Sequence, residues 1–147
     1  ITEPCCEPHW KKRQRGSCRD IFFITTLDRG PRFLEIMGAR TKDRHFPESD
    51  LGIYIQPVQQ GRNCHLEFSL MHDGENPVEA ERVSSLFEEV SEAFLKAGAF
   101  YSRPYGIWAD LAYRNDPHTV KALRMVKDML DPGNVMNPGR LCFRKEV

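Results

Sequence analysis

The chain has 147 residues, of which 40% are hydrophobic and 29% charged, and this composition predicts a folded globular protein rather than a disordered one. Lys plus Arg and Asp plus Glu number 21 each, so the sequence lacks the basic excess that is typical of nucleic-acid-binding proteins. It also contains no apolar run long enough for a transmembrane helix and no basic-then-apolar leader, and we therefore expect no membrane span.

The first 20 residues predict an irregular segment. Their basic residues are interpreted as a solvated surface, with a docking surface for a partner domain or an anion as the alternative; these residues are Lys11, Lys12, Arg13, Arg15 and Arg19. The chain starts with Ile1, from which we expect a processed or excised fragment. The odd number of cysteines and their spacing fit no common zinc template and predict reduced thiols in a cytoplasmic protein; the cysteines are Cys5, Cys6, Cys18, Cys64 and Cys142.

Three strands and a helix are predicted in the first half of the chain. The run 21–27 is rich in β-branched and aromatic residues and predicts a buried strand. Asp28 and Pro31 then predict the start of a helix, which ends before Pro47. A second strand is predicted over 51–59, at an edge or bulge because Pro57 lacks an N–H.

The run 62–70 alternates apolar and polar residues, which is the strongest strand pattern in the chain and completes a hairpin with the second strand. Its core-facing residues are predicted to be Cys64, Leu66, Phe68 and Leu70. Its other face carries Asn63, His65, Glu67 and Ser69.

Two capped helices are predicted in the second half. Asn76 and Pro77 open the first, Glu79 stands where a capping-box acid belongs, and Gly98 ends it. A short final strand is predicted over 99–102. Asp116 and Pro117 open the second helix, which is expected to bury the stripe Val120, Leu123, Val126, Met129 and Leu130 and to end at Pro132 and Gly133.

This order of elements predicts an α+β fold with a ferredoxin-like split βαβ arrangement, an antiparallel sheet with helices on one face, and an extra C-terminal helix and tail. The expected domain organisation is an irregular segment over 1–20, a ferredoxin-like domain over 21–130 and a tail over 131–147. Because the helices cover one face of the sheet, the other face is expected to meet solvent or another domain.

The tail reads D-P-x-N-x-x-N-P-G-R, a pattern that resembles the end of the C-terminal (cap, or substrate) domain of FAD-linked oxidases; the matching residues are Asp131, Pro132, Asn134, Asn137, Pro138, Gly139 and Arg140. The superfamily includes vanillyl-alcohol oxidase, 4-cresol dehydrogenase and glycolate oxidase. The resemblance implies FAD in the intact enzyme and an FAD-binding domain as partner, with 137–140 lying against that domain and Asn137 and Arg140 as cofactor-binding candidates. The sequence has no glycine-rich phosphate loop, so we do not expect this chain alone to bind FAD tightly.

A second resemblance lies in Gly61-Arg-Asn-Cys-His-Leu-Glu-Phe68. In relatives that act on 2-hydroxy acids, the equivalent strand begins G-D-G-N-x-H, and its His is a metal ligand. Here His65 and Glu67 share one strand face, but the sequence shows no third ligand, and we predict no metal. The resemblance implies that His65 or Glu67 faces the substrate. The alternative is a half-exposed His bonded to a neighbouring acid.

The third resemblance lies in residues 97–110. Metal-using relatives carry S-x-E-H-G near this point, whereas this chain carries Tyr-Ser-Arg-Pro-Tyr-Gly and resembles the vanillyl-alcohol oxidase and 4-cresol dehydrogenase branch. The resemblance implies that Arg103 binds a phenolate and that Tyr101 and Tyr105 donate hydrogen bonds to it, which is reasonable chemistry for an anion. In the alternative, Arg103 pairs with Asp110 or Glu67, and Tyr101, Tyr105 and Trp108 pack in a core or an interdomain seam.

The sequence thus predicts the substrate-side domain of an FAD-dependent oxidoreductase, which oxidises a small aromatic alcohol, a phenol or a 2-hydroxy acid by hydride transfer to FAD. The chain alone is not expected to be active. Besides the FAD-binding domain, the expected partners are a small-molecule substrate and, as an open alternative, a second copy in a homodimer. The rival hypothesis is a stand-alone ferredoxin-like interaction module without catalysis.

Overall fold

The structure is a computed structural model that describes residues 10–114 and 116–143, and these residues belong to two compact units that meet in sequence at Phe100 and Tyr101. The first unit contains, in chain order, β1 (Ser17–Thr26), α1 (Gly30–Asp43), β2 (Leu51–Val58), β3 (Asn63–His72) and α2 (Pro77–Lys96). The second contains α3 (Ile107–Tyr113), which the sequence did not predict, and α4 (Pro117–Leu130).

The sheet of the first unit has three strands in the order β1-β3-β2, and both neighbouring pairs are antiparallel. Because β3 lies between β1 and β2, the β1-α1-β2 connection is a split βαβ unit. The predicted α+β class and split βαβ arrangement are confirmed, as is the edge position of the strand that carries Pro57.

The predicted final strand over 99–102 is reduced to a single bridge between Ile24 and Phe100, whose two N–H···O distances are 2.9 and 3.0 Å. This bridge lies beside β1, where a fourth strand of a ferredoxin-like sheet would lie. Pro104, which has no N–H to donate, follows within a few residues, and the chain leaves the sheet. The prediction of a fourth strand is therefore wrong, although its position relative to β1 is correct.

The core of the first unit lies between the sheet and its two helices. The rings of Phe33 from α1 and Phe94 from α2 meet Phe23 of β1 at centroid distances of 4.6 and 5.1 Å, and Phe94 meets Phe68 of β3 at 5.2 Å. All four rings are fully buried, each contributing about 1.5–3 kcal/mol of transfer free energy. The predicted core-facing residues of β3 are also buried, which confirms the phase of that strand; they are Cys64, Leu66, Phe68 and Leu70.

Asn76 caps α2 as predicted, because its side-chain oxygen accepts the N–H groups of Val78 and Glu79 at 3.1 and 3.4 Å. The carboxylate of Glu79 does not complete a capping box with Asn76. It accepts the N–H of Asp73 at 3.0 Å and the guanidinium of Arg15 at 2.9 Å. These bonds, that of Asp73 first, lower the pKa of Glu79.

Three of the N-terminal basic residues that were interpreted as a solvated surface make specific side-chain contacts. Arg15 pairs with Glu79 and lies 3.5 Å from Asp50, and Arg19 donates to Ser84 at 2.9 Å while its guanidinium lies 4.0 Å above the Phe87 ring. Lys11 pairs with Asp20 and Glu67. β1 starts at Ser17, so residues 17–20 belong to the sheet rather than to an irregular segment. The part of the predicted N-terminal segment over 1–9, with Cys5 and Cys6, lies outside the described residues.

In the second unit, the predicted helix over 117–130 forms, and Asp116 caps it by accepting the Thr119 N–H at 2.9 Å. Its predicted apolar stripe is not a core face, since α4 has no buried residue. Met129 and Leu130 are both 74% exposed. Among the described helices, none is both long and apolar enough to cross a membrane.

Candidate functional site

One face of the sheet lies opposite α1 and α2, and we call it the open face because neither helix covers it, although the side chains of His65 and Glu67 are only 17% and 15% exposed. It is defined by Cys18, Asp20 and Phe22 of β1, His65, Glu67 and Ser69 of β3, and Tyr54 of β2. The strand register makes these side chains direct neighbours, because Asp20 lies opposite Ser69 and both Phe22 and Tyr54 lie opposite Glu67. Polar and aromatic groups from three strands therefore converge on one surface.

A cation from outside the sheet completes the open face. The short helical turn Trp10–Lys12 places Nζ of Lys11 2.8 Å from Oδ2 of Asp20, and the same ammonium donates to Oε1 of Glu67. The Lys11 side chain is only 14% exposed. Burial tends to lower the pKa of Lys11, but the bonds to the two carboxylates outweigh it, and the pKa is raised above 10.5. Lys11 is thus a fixed charge of this surface.

The carboxylate of Asp20 accepts hydrogen bonds from three side chains, and that of Lys11 is one of them. Its Oδ1 accepts the hydroxyl of Ser69 at 2.8 Å and the thiol of Cys18 at 3.2 Å. Burial raises its pKa, yet the hydrogen bonds from Lys11, Ser69 and Cys18 together lower the pKa below 3.8. Burial and the neighbouring Asp20 raise the pKa of the Cys18 thiol to about 12, which makes Cys18 a hydrogen-bond donor and not a nucleophile.

His65 lies beside Glu67, with 3.4 Å between Nε2 and Oε2. The ring of Phe22 stacks on His65 at 5.7 Å, and the ring of Tyr54 meets it edge-on at 6.2 Å. The imidazole is therefore held in place by two aromatic rings and a carboxylate. Such a pair can accept a proton from a bound hydroxyl group, since the carboxylate stabilises the resulting imidazolium.

The cluster is organised around the ammonium of Lys11. Lys11 lies between the carboxylates of Asp20 and Glu67, and no group of three or more metal-ligating side chains forms within 10–114 and 116–143. Among the described residues of this surface, two carboxylates share one lysine, so their charges sum to a net negative value when His65 is neutral. A ligand that offers a hydroxyl group therefore fits this surface better than a ligand that offers a carboxylate.

The predicted residues of the second unit form an aromatic group of their own. The rings of Tyr101 and Trp108 stack at 4.9 Å with an interplanar angle of 11°, and both residues are buried. Tyr105 lies 5.4 Å from Trp108 and is half-exposed, and Arg103 is exposed. Of these four residues, Arg103 and Tyr105 have the solvent access that contact with a ligand requires.

The tail that carries the D-P-x-N-x-x-N-P-G-R pattern is built around Asp131. Its carboxylate accepts the N–H groups of Val135 and Met136, each at 2.9 Å, and the ammonium of Lys127, which also donates to the Met136 carbonyl at 2.6 Å. These bonds, that of Lys127 first, lower the pKa of Asp131 to about 2. The Asp of the pattern thus folds the turn after α4.

The backbone conformation of the tail explains why asparagine and glycine occur at three positions of the pattern. Asn134 and Asn137 both have φ 49° and Gly139 has φ 70°, in the left-handed region that Asn and Gly tolerate best. The side chains of Asn137 and Arg140, the predicted cofactor contacts, are exposed.

Exposed amide and guanidinium groups can donate hydrogen bonds to the oxygen atoms of a ligand. The amides of Val135 and Met136, which a phosphate would need, are taken by Asp131. Two surface depressions, of about 500 and 390 Å³, are lined by residues other than Asn137, Arg140 and those of the open face.

The structure groups the predicted site residues in two sets. His65 is next to Glu67 in the first unit, and Tyr101 and Tyr105 both contact Trp108 in the second. Sequence reasoning missed Lys11, Asp20, Phe22 and Tyr54. Continuing the alternation of β1 back to Ser17 would have placed Asp20 beside Phe22 on the open face. No local pattern marks Lys11, which is 56 residues from Glu67 in the chain.

Comparison with known proteins gives one family. Residues 59–141, more than half of the chain, match the model of the family described as FAD linked oxidases, C-terminal domain. Neither a curated protein nor a solved structure matches the sequence.

Proposed function

Because this chain belongs to the family of C-terminal domains of FAD-linked oxidases, we propose that it forms the substrate-side wall of an enzyme that oxidises a small aromatic alcohol, a phenol or a 2-hydroxy acid. Family membership gives the chain a role in an FAD-linked oxidoreductase, with FAD in the intact enzyme and an FAD-binding domain as its partner. The observation that carries the substrate proposal is the open face, where His65 and Glu67 lie between two aromatic rings and beside the Lys11–Asp20 pair.

His65 is the proposed acceptor of the substrate's hydroxyl proton. A carboxylate can only accept hydrogen bonds, so the contact with Glu67 favours the tautomer with the proton on Nε2. Nδ1 then keeps its lone pair, and it can take the proton of an alcohol bound beside it. Phe22 and Tyr54 offer apolar contact area to an aromatic substrate.

FAD, when bound in the intact enzyme, supplies the acceptor for the hydride that leaves the substrate carbon. The contribution of this chain is to bind the substrate, orient the carbon–hydrogen bond and remove the proton. The net negative open face suits a neutral hydroxyl group. Arg103, exposed in the second unit, is the proposed contact for an anionic group such as a phenolate or carboxylate, with Tyr105, which is also exposed, as a candidate hydrogen-bond donor.

The apolar surface of α4 and the tail is the proposed contact with the FAD-binding domain. Large apolar side chains there are 63–79% exposed, namely Met125, Met129, Leu130, Val135 and Met136. A group of exposed apolar side chains on a folded protein is typical of an interaction surface. Asn137 and Arg140 follow directly in the chain, which supports their role as contacts to that domain or to its cofactor.

The test is to express this chain together with the FAD-binding domain of its enzyme and to add one substrate class at a time without oxygen. We expect the visible absorbance of the flavin to bleach with at least one class, and only when both parts are present. Met129→Glu should weaken the complex, whereas Val78→Glu, at a 75% exposed position of the first unit, should not.

The rival function, an interaction module without catalysis, uses the same apolar surface. As a stand-alone module, the chain would let none of the three substrate classes reduce the flavin when it is mixed with the FAD-binding domain. That outcome would overturn the proposed oxidation while leaving the family assignment intact.

A further inference from the structure

We propose that β2 is a dimerisation edge, at which this chain pairs with β2 of a second copy to form a continuous six-stranded antiparallel sheet. β2 is an outer strand of the β1-β3-β2 sheet, with β3 on its inner side. Its central residues are the apolar Ile53, Tyr54 and Ile55, which are 51%, 50% and 46% exposed. A bare strand edge with exposed β-branched and aromatic side chains is a template for pairing with another strand.

The exposure of these residues follows from how the helices are placed. Phe33 of α1 and Phe94 of α2 pack on Phe23 of β1, and Phe94 also packs on Phe68 of β3. Ile53 lies opposite Phe68 in the register, on the helix side of the sheet, and yet half of its surface is accessible. Further strands are therefore needed to shield the outer part of this face.

The strand is complementary to itself. In an antiparallel pair centred on Tyr54, Ile53 of each copy lies opposite Ile55 of the other, and the two tyrosines face each other. Gly52 then lies opposite Gln56, and Leu51 opposite Pro57, so the central pairs are apolar and the one residue without an N–H is at the periphery. A two-fold axis requires this kind of self-match.

The charges favour a second copy as the partner. Leu51–Val58 contains no charged residue, although a lysine or an acid on an edge strand is the usual protection against pairing. Near a two-fold axis, any such charge would meet its own copy and repel it. At the strand ends, antiparallel pairing brings Glu48, which precedes β2, towards Arg62 after the hairpin turn of the other copy, and both residues are exposed.

The dimer would also join two open faces. Tyr54 belongs to the open face, where its ring meets His65 at 6.2 Å, and in the paired sheet it stands at the axis. Gln56, which lies opposite His65 in the register, and Tyr54 would then stand between each His65 and the other copy. This inference does not depend on the chemistry proposed above, because it concerns only the edge of the sheet.

Light scattering after size-exclusion chromatography tests the proposal on the full chain. We expect a mass of twice 17.0 kDa for the wild type and the single-chain mass for Ile55→Lys and Ile53→Lys. Each substitution should weaken the dimer at least about tenfold, since it replaces each central Ile53–Ile55 pair by a lysine opposite an isoleucine and brings the two new ammonium groups close to the axis. Val78→Lys, at an exposed apolar position away from the edge, is the matched control and should remain dimeric.

Hydrogen exchange gives a second measurement that does not depend on mass. The amides of 51–58 should exchange more slowly as the protein concentration rises, and this dependence should vanish in Ile55→Lys while its far-UV circular dichroism stays that of the wild type. A wild type that is monomeric at its highest soluble concentration would overturn the proposal. So would a dimer that survives both lysine substitutions, because another surface would then hold it together.

Discussion

Nζ of Lys11 lies 2.8 Å from Oδ2 of Asp20 and connects a turn at the start of the described chain to β1. The same ammonium donates to Glu67 of β3, so one side chain joins three elements on the open face. Lys11 and Asp20 both lie before residue 59, where the match to the family begins. The charge balance of the candidate site is therefore set partly by residues that the family comparison does not cover.

Replacing Lys11 should destabilise the first unit. Lys11→Met leaves two partly buried carboxylates without their cation, and we expect a loss of about 1–2 kcal/mol, below the 3–5 of a fully buried pair because water still reaches the site. Chemical denaturation followed by far-UV circular dichroism measures it. Lys12→Met is the matched control, since Lys12 is the exposed neighbour, and equal effects of the two substitutions would contradict this account.

The Lys11–Asp20 pair also predicts how stability depends on pH. The folded-state pKa of Asp20 lies below 3.8, so its contribution is present above that value and is lost as the pH falls through the lower folded-state pKa. The pKa of Lys11 is raised above 10.5, so its contribution is complete below 10.5 and is lost only as the pH rises through the raised value. Denaturation midpoints measured from neutral to acid pH should fall less steeply in Asp20→Asn than in the wild type. Parallel curves would show that Asp20 carries no such linkage.

Cys18 should resist alkylation. With a pKa of about 12, raised by burial and by Asp20, its thiol is ionised to only about one part in ten thousand at pH 8. Peptide mass spectrometry after iodoacetamide treatment of the native protein should find Cys18 largely unmodified. Asp20→Asn should accelerate its modification several-fold because the adjacent negative charge is gone. Modification of wild-type Cys18 at the rate of a free cysteine would contradict the assigned environment.

Asp131 should hold the tail turn closed over most of the pH range. Its pKa is lowered to about 2 by the bonds from Lys127, Val135 and Met136, so the turn should open only as the pH falls towards that value. In Asp131→Ala we expect the Val135 and Met136 amides to lose at least about tenfold in hydrogen-exchange protection, measured by NMR at neutral pH. Asp128→Ala is the control on the same helix. Unchanged protection in Asp131→Ala would show that the turn forms without the carboxylate.

Arg103 should matter most for anionic substrates. In the complex with the FAD-binding domain, Arg103→Ala should slow flavin reduction by a phenolate or a carboxylate by roughly one to three orders of magnitude, at about 1.4 kcal/mol per decade. A neutral aromatic alcohol should be affected less. Arg32→Ala, at an exposed position of α1, is the matched control. Equal loss for charged and neutral substrates, with a lowered unfolding temperature, would assign Arg103 a structural role.

The parts of the fold that the sequence predicted well are those with a strong local signal. The alternation in β3 correctly predicted which side chains are buried, namely Cys64, Leu66, Phe68 and Leu70. The pair Asn76-Pro77 correctly predicted the first residues of α2 and its N-cap. The types of Asn134, Asn137 and Gly139 likewise indicated turns, and these residues adopt the left-handed conformation.

The parts that were missed depend on distant contacts. The start of β1 at Ser17 lacks β-branched residues and is held by its pairing with Met71 and His72. Lys11 reaches the open face only because the chain folds back over β1 and β3. The apolar stripe of α4 predicted a buried helix, but periodicity cannot tell whether the covering surface lies in the same chain. Because such distant contacts leave no local pattern in the sequence, only His65 and Glu67 of the candidate site were predicted, and Lys11 was not.

The region that matches the family begins inside the hairpin turn between β2 and β3, which matters for the choice of a fragment to express. Gln59, Gln60 and Gly61 all have positive φ, of 50°, 59° and 82°, and the matched region begins at the first of them. A protein cut to residues 59–141 would keep β3, the middle strand, and lose both strands that pair with it. Both edges of β3 and the aromatic core beneath it would then face water. We therefore expect that the region matched by the family does not fold when it is expressed alone.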